Sequence, residues 1–312
     1  MEALTLKEIA KALNTETDFD VQINAVCIDT RKITKGCLFI CIKGERFDAH
    51  QFAHEALSLG AAAVMISEDI EVNGAFVKVE NTSKALLDLS AYYRSKFNIP
   101  VVALTGSVGK TTTKEFTYLV VNSEFNAIKT QGNLNNEIGL PKTLLQLEDC
   151  HTAAVIEMGM NHSGELIHLS DMVRPDMTII TSVGSAHRAF FKTERDIALA
   201  KSEIFDYQNR QGTAVLQRDG AFYDLLKTAA TGQGIQHILT FGQDGRSDFV
   251  LKKITPDETG MQVDWADEDG LHTLHLAYFG AHFALDALGA LALVKAVGGD
   301  LKQACETLTR LT

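Results

Sequence analysis

One run of eleven residues constrains the fold of this chain more than any other feature. The run is Ala103-Leu104-Thr105-Gly106-Ser107-Val108-Gly109-Lys110-Thr111-Thr112-Thr113. It follows an apolar segment over residues 99–104, which is typical of a buried strand, and a helical pattern begins near Thr112. Glycines let the backbone turn tightly, and the start of a helix adds unpaired N–H donors and a positive dipole end. The run therefore predicts a phosphate-binding loop between a strand and a helix.

Each part of this loop has an expected role in holding a nucleotide. Residues 106–112 would surround the phosphates, Lys110 would neutralise the β- and γ-phosphates, and the Thr111 hydroxyl would bind Mg2+. Leu104 stands where the usual G-x-x-x-x-G-K-[ST] pattern has its first glycine, so a shorter G-x-x-G-K-T loop remains. A plain surface turn would account for the glycines and the serine, but not for Lys110 and Thr111 at the start of a helix.

Length and composition indicate an ordinary globular protein of about two domains. The chain has 312 residues, of which 46% are apolar, and no apolar run approaches the roughly 20 residues that span a bilayer. Its five cysteines lack C-x-x-C spacing, which favours reduced thiols in a cytoplasm over disulfides or a zinc site. A net charge of -11 argues against nucleic acid as the main partner. We expect a cytoplasmic monomer that does not insert into a membrane.

Alternating strand and helix patterns predict an α/β fold in two parts. We expect one domain over residues 1–82 and a second over 83–312. The strands expected in the first domain cover residues 25–28, 37–42, 61–66 and 75–79. From residue 99 onward the alternation is more regular, which predicts a doubly wound, mostly parallel sheet with ligands at the carboxyl ends of its strands.

The second domain has its own expected elements. Its strands are predicted at residues 101–105, 153–157, 177–183, 213–216 and 238–241. Residues 248–278 show the pattern of short alternating strands, and a helix is expected over residues 282–297.

Polar residues follow or flank several of these strands. Glu157 ends an apolar strand, where an acidic residue usually binds Mg2+, although a solvated carboxylate is the plainer alternative. His187 follows another strand, but a lone histidine more often packs than binds a ligand. Lys201 lies among small apolar residues of a helical stretch, where an ammonium group is costly unless it is modified or reaches solvent. Asn135 and Asn136 could cap a following helix or present amide groups to a polar ligand.

Several motifs in this order resemble the Mur ligases, which are ATP-dependent amide-bond ligases of peptidoglycan synthesis. The motifs are the loop run extended to Lys114-Glu115, the segment 133–141, Glu157-Met158-Gly159-Met160-Asn161-His162-Ser163-Gly164-Glu165 and residues 198–204. Two further segments, Asp29-Thr30-Arg31 and Gly44-Glu45-Arg46-Phe47-Asp48-Ala49-His50-Gln51-Phe52, look like the UDP-sugar-binding domain of that family. The resemblance implies a small N-terminal α/β UDP-substrate domain followed by an ATPase domain that contains the phosphate loop.

The asparagine segment and Glu157-Met158-Gly159 are most similar to one branch of the family. That branch adds D-alanyl-D-alanine to UDP-N-acetylmuramoyl-tripeptide through an acyl phosphate. The resemblance implies that ATP and two Mg2+ ions are used. A related ligase with another amino-acid substrate remains an alternative, as does a fragment that binds UDP-sugar peptide or nucleotide without turnover.

The resemblance also implies roles for individual residues. Lys110, His187 and Lys201 would be catalytic. Thr111 and Glu157 would hold one Mg2+, while His187 and a carbamylated Lys201 would hold the second. The residues implied in substrate binding are Thr30, Arg31, Asp48, His50, Asn135 and Asn136.

The chain departs from the family pattern in three places. Arg188-Ala189-Phe190-Phe191-Lys192 follows His187, where the family usually has Leu and later Phe-Gly. The segment Gly280-Ala281-His282-Phe283-Ala284-Leu285-Asp286-Ala287 aligns with Gly-x-His-Asn-x-x-Asn-Ala, so Phe283 replaces an asparagine associated with adenine recognition, and stacking is the alternative contact. The sequence stops at Thr312, about where the family's central domain ends, so we expect a truncated form that lacks the Rossmann-like third domain and has little activity alone.

Overall fold

The computed structural model of this chain describes residues 1–44, 47–184 and 190–311. It contains two compact units. The first comprises Met1–Asn98 and Glu137–Asp149, and the second comprises Ile99–Asn136 and Cys150–Thr312. None of the helices in the described ranges is both long and apolar enough to cross a membrane.

Strands and helices alternate along most of the chain. The strands are β1 (Leu4–Thr5), β2 (Gln22–Ile23), β3 (Ala25–Cys27), β4 (Cys37–Ile40), β5 (Ala63–Ile66), β6 (Phe76–Lys78), β7 (Val101–Thr105), β8 (Ala127–Lys129), β9 (Ala153–Glu157), β10 (Met177–Ile180), β11 (Thr213–Gln217), β12 (His237–Gly242), β13 (Phe249–Pro256), β14 (Met261–Asp267) and β15 (Gly270–Leu276). The α-helices are α1 (Leu6–Ala12), α2 (Ala53–Ser58), α3 (Thr82–Arg94), α4 (Lys110–Asn122), α5 (Gly139–Leu144), α6 (Glu165–Val173), α7 (Glu194–Ser202), α8 (Tyr223–Gly232), α9 (Ala281–Val297) and α10 (Leu301–Thr309). Short 3-10 helices cover Thr30–Lys32, Ala49–Phe52 and Glu203–Phe205.

The first unit is built on a four-stranded parallel sheet with the order β3-β4-β5-β6. Strands β4 and β5 are buried at every position, as expected when both faces of a parallel sheet are covered. Helix α3 begins after Asn81, whose side-chain oxygen accepts a hydrogen bond from the Lys84 N–H at 2.9 Å, and it packs against α1 and α5 within this unit. The compact unit therefore extends past residue 82. The division into a UDP-substrate domain over residues 1–82 and an ATP-binding domain over residues 83–312 stays a prediction.

The second unit contains a nine-stranded sheet with the order β15-β14-β13-β12-β11-β10-β7-β9-β8. Neighbours from β8 to β13 are parallel, whereas β13, β14 and β15 form an antiparallel meander. The predicted α/β class and the mostly parallel sheet are confirmed. Strand β8 was not predicted, because its apolar run is limited to Ala127 and Ile128, between Asn126 and Lys129.

Helix α9 lies in the core of the second unit and packs against α4 and the strands β10 to β13. Its middle, from Ala287 to Val294, is buried throughout and almost entirely apolar, which is typical of a helix surrounded by protein. Asp286, at the edge of this stretch, is its buried acidic residue. Helix α9 thus brings one carboxyl group into the core close to the start of α4.

Candidate functional site

Two glycines allow the predicted phosphate loop to form between β7 and α4. A Cβ on Gly106 would overlap Thr181 Oγ1, so the backbone passes close to the residue that follows β10. Gly109 has φ +86°, in the left-handed region, and a Cβ there would overlap Asp286 Oδ1. Since side chains cannot occupy these two places without displacing their neighbours, the loop requires glycine at both. Helix α4 starts at Lys110, two residues earlier than the sequence pattern indicated.

Residues after β10 hold the loop in place by hydrogen bonds. The Ser107 N–H donates to Ser182 O at 2.9 Å, and the Val108 N–H donates to Ser182 Oγ at 3.0 Å. Thr181 Oγ1 donates to Val108 O at 2.6 Å. Ser107 Oγ in turn accepts from the Gly184 N–H at 3.0 Å. The loop is therefore held by residues that follow β10 and lie more than seventy positions away in the sequence.

The first turn of α4 presents its polar groups at the carboxyl edge of the sheet. Gly109 provides no side-chain cap, so this helix start does not use a side chain to satisfy its N–H groups. Lys110 Nζ donates to Gly106 O at 2.7 Å, and burial lowers the pKa of Lys110 while the charge of Glu157 opposes that shift. Thr111 is exposed, and Thr112 lies beside it in the same turn. A helix start with free donors and a lysine is a site for an anion.

Glu157 is buried at the end of β9, with 1% of its surface exposed, so the alternative of a solvated carboxylate is wrong. Its Oε2 accepts from Thr111 Oγ1 at 3.2 Å, and its Oε1 accepts from Asn135 Nδ2 at 2.7 Å. The Glu157 N–H donates to Thr130 Oγ1 at 3.0 Å. A carboxylate and a hydroxyl oxygen lie together here, and hard oxygen ligands of this kind suit Mg2+.

Sequence reasoning gave no role to Lys114, although it touches this carboxylate. Its fully buried ammonium lies 3.7 Å from Glu157 Oε2 and 3.2 Å from Glu115 Oε1, and it donates to Gly132 O at 3.2 Å. Lys114 follows Lys110 by four residues, and residues four apart share a helix face. This spacing could have indicated that Lys114 lies on the same side of α4 as the predicted phosphate-binding lysine. Lys114 therefore gives the buried Glu157 carboxylate a partner of opposite charge within the interior.

Helix α5 has Ile138, and not an asparagine, at its N-cap position. Asn135 contacts both Glu157 and the loop after β9. Its side-chain amide donates to Glu157 Oε1, and its backbone carbonyl oxygen accepts from the Gly159 N–H at 2.7 Å. Asn136 adjoins it in the second unit. Binding of substrate by Asn135 and Asn136 stays a prediction.

Lys201 lies on α7 with 1% of its surface exposed, so the alternative in which it reaches solvent is wrong. Burial lowers its pKa to about 7, and the positive charge of Lys110 adds to that shift. Within the described ranges, no acidic side chain contributes to its pKa. His187 and Arg188 lie outside the described residues. Their predicted roles stay predictions.

Phe283, at the start of α9, is half-buried in a small aromatic cluster. Its ring centroid lies 4.8 Å from that of Tyr278 and 4.3 Å from that of His282. The ring therefore contacts aromatic neighbours of the same unit, and stacking against a base stays a prediction.

The predicted substrate residues of the first unit lie at the carboxyl edge of its own sheet. Asp29 follows β3 and caps the 3-10 helix Thr30–Lys32 by accepting from the Arg31 N–H at 3.1 Å. The Arg31 guanidinium binds both carboxylate oxygens of Asp29, at 2.9 and 2.8 Å, and these hydrogen bonds lower the pKa of Asp29 to about 2. The Arg31 side chain is nevertheless 86% exposed. Arg31 can therefore reach a ligand in solvent.

His50 differs from Arg31, because it is 6% exposed and both of its ring nitrogens have partners. Its Nδ1 lies 2.5 Å from Asp48 Oδ1, and its Nε2 accepts from the Ser67 N–H at 2.9 Å. Asp48 also accepts from the His50 N–H at 2.9 Å, and that bond is the main cause of a lowered pKa of Asp48. The imidazole links Asp48 to Ser67 at the end of β5, so contact with a substrate would require it to give up a partner.

Models of one protein family match two adjacent parts of the chain. The model described as "Mur ligase middle domain" matches residues 104–294, which is more than half of the chain. The model described as "Mur ligase family, catalytic domain" matches residues 22–104.

Named relatives and solved structures agree with these matches. A UDP-N-acetylmuramoyl-tripeptide–D-alanyl-D-alanine ligase of Synechocystis sp. is 38% identical over 95% of this chain, which spans 63% of that relative. The crystal structure of MurF from Acinetobacter baumannii is similar with a TM-score of 0.93 and 30% identity, over 100% of this chain and 69% of that one. The MurF ligase of Thermotoga maritima in complex with ADP gives a TM-score of 0.84 and 30% identity, over 92% and 66%. These matches, together with the phosphate loop and the buried Glu157 next to it, show that the chain belongs to the Mur ligase family.

Proposed function

We propose that this chain forms the nucleotide-binding and UDP-substrate-binding parts of a ligase that adds D-alanyl-D-alanine to UDP-N-acetylmuramoyl-tripeptide at the expense of ATP. The observation that carries the proposal is the meeting of Lys110, Thr111 and Glu157 at the carboxyl edge of one sheet. The name of the Synechocystis relative and the ADP bound by the Thermotoga structure support the reaction and the nucleotide.

The residues at this edge fit a nucleotide with Mg2+. Lys110 and the N–H groups at the start of α4 would bind the phosphates, and Thr111 and Glu157 would hold the ion through oxygen atoms. When bound, Mg2+ would neutralise charge that develops on the transferred phosphoryl group. Lys114 and Asn135 would orient the Glu157 carboxylate through an ion pair and a hydrogen bond.

Lys201 fits the proposed carbamylation. A lysine whose pKa is about 7 has a substantial neutral fraction near neutral pH. The nitrogen lone pair would attack the carbon of carbon dioxide, one C=O electron pair would move to oxygen, and the amine would release a proton to solvent. The product is a carbamate, whose anionic oxygens could bind the second Mg2+ together with His187. Burial favours the neutral amine that attacks, because a buried ammonium group is costly, and the second Mg2+ would balance the negative charge of the carbamate.

The proposed reaction has two steps. The terminal carboxylate of the tripeptide attacks the γ-phosphorus and ADP leaves, which gives an acyl phosphate. The amine of D-alanyl-D-alanine then attacks the acyl carbon, and phosphate leaves. Lys110 would position the phosphates and offset their charge. Phosphoryl transfer depends mainly on such positioning and electrostatic stabilisation.

The first unit would bind the UDP-linked peptide at the carboxyl edge of its sheet. Arg31 offers an exposed guanidinium for the pyrophosphate, and Thr30, Asp48 and His50 adjoin that edge. We also place the protein in the cytoplasm, in keeping with five cysteines of which none forms a disulfide in the described part of the chain.

Calorimetry with MgATP and with UDP-N-acetylmuramoyl-tripeptide tests the two binding sites separately. We expect saturable binding of both, and absence of either would overturn the corresponding part of the proposal. Phosphate release in the presence of the tripeptide then separates the alternatives. Stimulation by D-alanyl-D-alanine and not by single amino acids supports this ligase, and stimulation by a single amino acid supports a related one. Binding of both ligands without release agrees with a chain that forms only the binding parts.

A carbamate on Lys201 is tested without reference to activity. Protein equilibrated with 13C-labelled bicarbonate should show a carbamate carbon signal in its NMR spectrum, and Lys201→Met should lack it. A spectrum of the parent protein that matches the spectrum of Lys201→Met would contradict the carbamate.

A further inference from the structure

Asp286 is a buried acid directly behind the phosphate loop. It lies in the first half of α9 and is 9% exposed. Its Oδ1 accepts a hydrogen bond from Thr113 Oγ1 at 3.1 Å, and Thr113 belongs to the first turns of α4. The two residues are 173 positions apart in the sequence, so this contact exists only in the folded protein.

The same carboxyl group packs against the backbone of Gly109. A Cβ built on Gly109 would overlap Asp286 Oδ1 and lie 3.2 Å from both Cγ and Oδ2. Gly109 immediately precedes α4 and has the left-handed backbone that forms the loop. The carboxyl group therefore packs against the turn that leads into a helix start without a side-chain cap.

The interior disfavours a charge at this position. Burial raises the pKa of Asp286 to about 7, and the hydrogen bond from Thr113 opposes that shift only in part. The ionisable side chains on the elements packed against α9 are Lys110, Lys114, Glu115 and Tyr118 on α4, His237 on β12, Lys252 and Lys253 on β13, and Lys302, Cys305 and Glu306 on α10. On α9 itself, His282 precedes Asp286 by one turn and Lys295 follows it by more than two. None of these charges is among the causes of the raised pKa.

We propose that Asp286 is a positioning residue of the phosphate loop, and that the loop holds nucleotide phosphates most tightly when this carboxyl group is uncharged. The inference rests on the proposed binding of nucleotide at the loop. A neutral carboxyl group can accept from Thr113 and pack on Gly109 without adding charge. An ionised one places a negative charge behind the same helix start that must attract the phosphates, and like charges in a poorly hydrated interior repel each other.

The consequence is a coupling between nucleotide binding and protonation of one side chain. Because the phosphates favour the protonated acid, the affinity for MgATP should fall as the pH rises through 7. The nucleotide also titrates in this range, so the informative quantity is the ratio of dissociation constants between the parent protein and Asp286→Asn. Asparagine keeps an oxygen that accepts from Thr113 and cannot ionise.

The experiment is calorimetry with MgATP at pH 6.0, 7.0 and 8.5 on the parent protein and on Asp286→Asn. We expect similar dissociation constants at pH 6.0 and a parent protein that binds roughly tenfold more weakly than the variant at pH 8.5. A ratio that stays constant with pH would overturn this inference while leaving nucleotide binding intact. Failure of the parent protein to bind MgATP at every pH would overturn the proposed function, and this inference with it.

Asp269→Asn is the matched control, because it removes one exposed carboxylate from the same unit. The ratio of the MgATP dissociation constants of this control and the parent protein should not change with pH. A second measurement needs no ligand. Since the folded-state pKa of Asp286 is raised above the unfolded value of about 3.8, its burial costs nothing below that value, and the cost grows as the pH rises to about 7. The thermal unfolding midpoint of Asp286→Asn should therefore exceed that of the parent protein increasingly between pH 4 and pH 7, and a difference independent of pH would also contradict the proposal.

Discussion

The carboxyl edges of the two sheets carry polar residues of similar kinds, but the partners of these residues differ. The partners are local in the first unit and distant along the chain in the second. In the first unit, Asp29 and Asp48 bind residues two positions further along the chain, and their pKa values are lowered. In the second unit, Glu157 meets partners from other segments, while burial moves the pKa values of Lys201 and Asp286 to about 7. The carboxylates at the first edge are thus already paired with neighbouring side chains. The second edge holds charges that a bound anion, a metal or a modification could neutralise. Groups with shifted pKa values that converge in one place are typical of functional sites.

The largest effect is expected at the second edge, on removing the lysine of the loop. Lys110→Ala deletes the charge that would meet the phosphates, and we expect a loss of MgATP affinity on the order of 100-fold. Lys302→Ala removes an exposed lysine from α10 of the same unit and serves as the matched control in calorimetry. Equal MgATP affinity of Lys110→Ala and Lys302→Ala would contradict the assignment of phosphate binding to the second edge.

The next effect is a pH-dependent change in stability at Lys201. The folded-state pKa of about 7 lies below the unfolded value of 10.5, so the buried ammonium costs most below pH 7 and its cost disappears as the pH rises to 10.5. Lys201→Met should therefore raise the free energy of unfolding by a few kcal/mol at pH 6 and by little at pH 10. Denaturant unfolding in buffer free of carbon dioxide measures this, and an equal gain at both pH values would contradict the assignment.

A smaller effect is expected at the first edge, where the charges already have partners. Asp48→Ala removes the cap of the 3-10 helix Ala49–Phe52 and the partner of His50, and we expect a loss of about 1 kcal/mol at neutral pH. Because the pKa of Asp48 is lowered, its contribution is present above the unfolded value of 3.8 and disappears as the pH falls through the folded one. Affinity for MgATP should not change, and a change would show that the two edges are coupled.

The smallest effect is expected for Arg31→Ala. The guanidinium is exposed and paired with Asp29, so the thermal unfolding midpoint should stay within error of the parent value. Binding of UDP-N-acetylmuramoyl-tripeptide should weaken by about threefold, because Arg31 gives up one partner to gain another. A clear drop in the midpoint with unchanged binding would make Arg31 a structural residue only.

Much of the fold was predictable because its information is local. Strands β7 and β9 have the bounds that their apolar runs predicted, and the helix predicted over residues 282–297 became α9 with a start one residue earlier. The motif from Gly106 to Thr111 also identified the loop, since glycines and a following helix pattern are visible in the sequence. Strands β1 and β2 were missed because two residues carry no measurable period, and β8 was missed because only Ala127 and Ile128 are apolar between Asn126 and Lys129.

The sequence by itself determined the α/β class, the position of the phosphate loop and the polar residues at the strand ends, because periodicity and glycine placement act over a few neighbouring positions. Only the tertiary structure decided that Asn135 binds Glu157 instead of capping α5, that Lys114 is buried beside the same carboxylate, and that Asp286 supports Gly109. These contacts join segments that are distant along the chain. The desolvation that shifts the pKa values of Lys201 and Asp286 depends on everything packed around them, so no local pattern contains it.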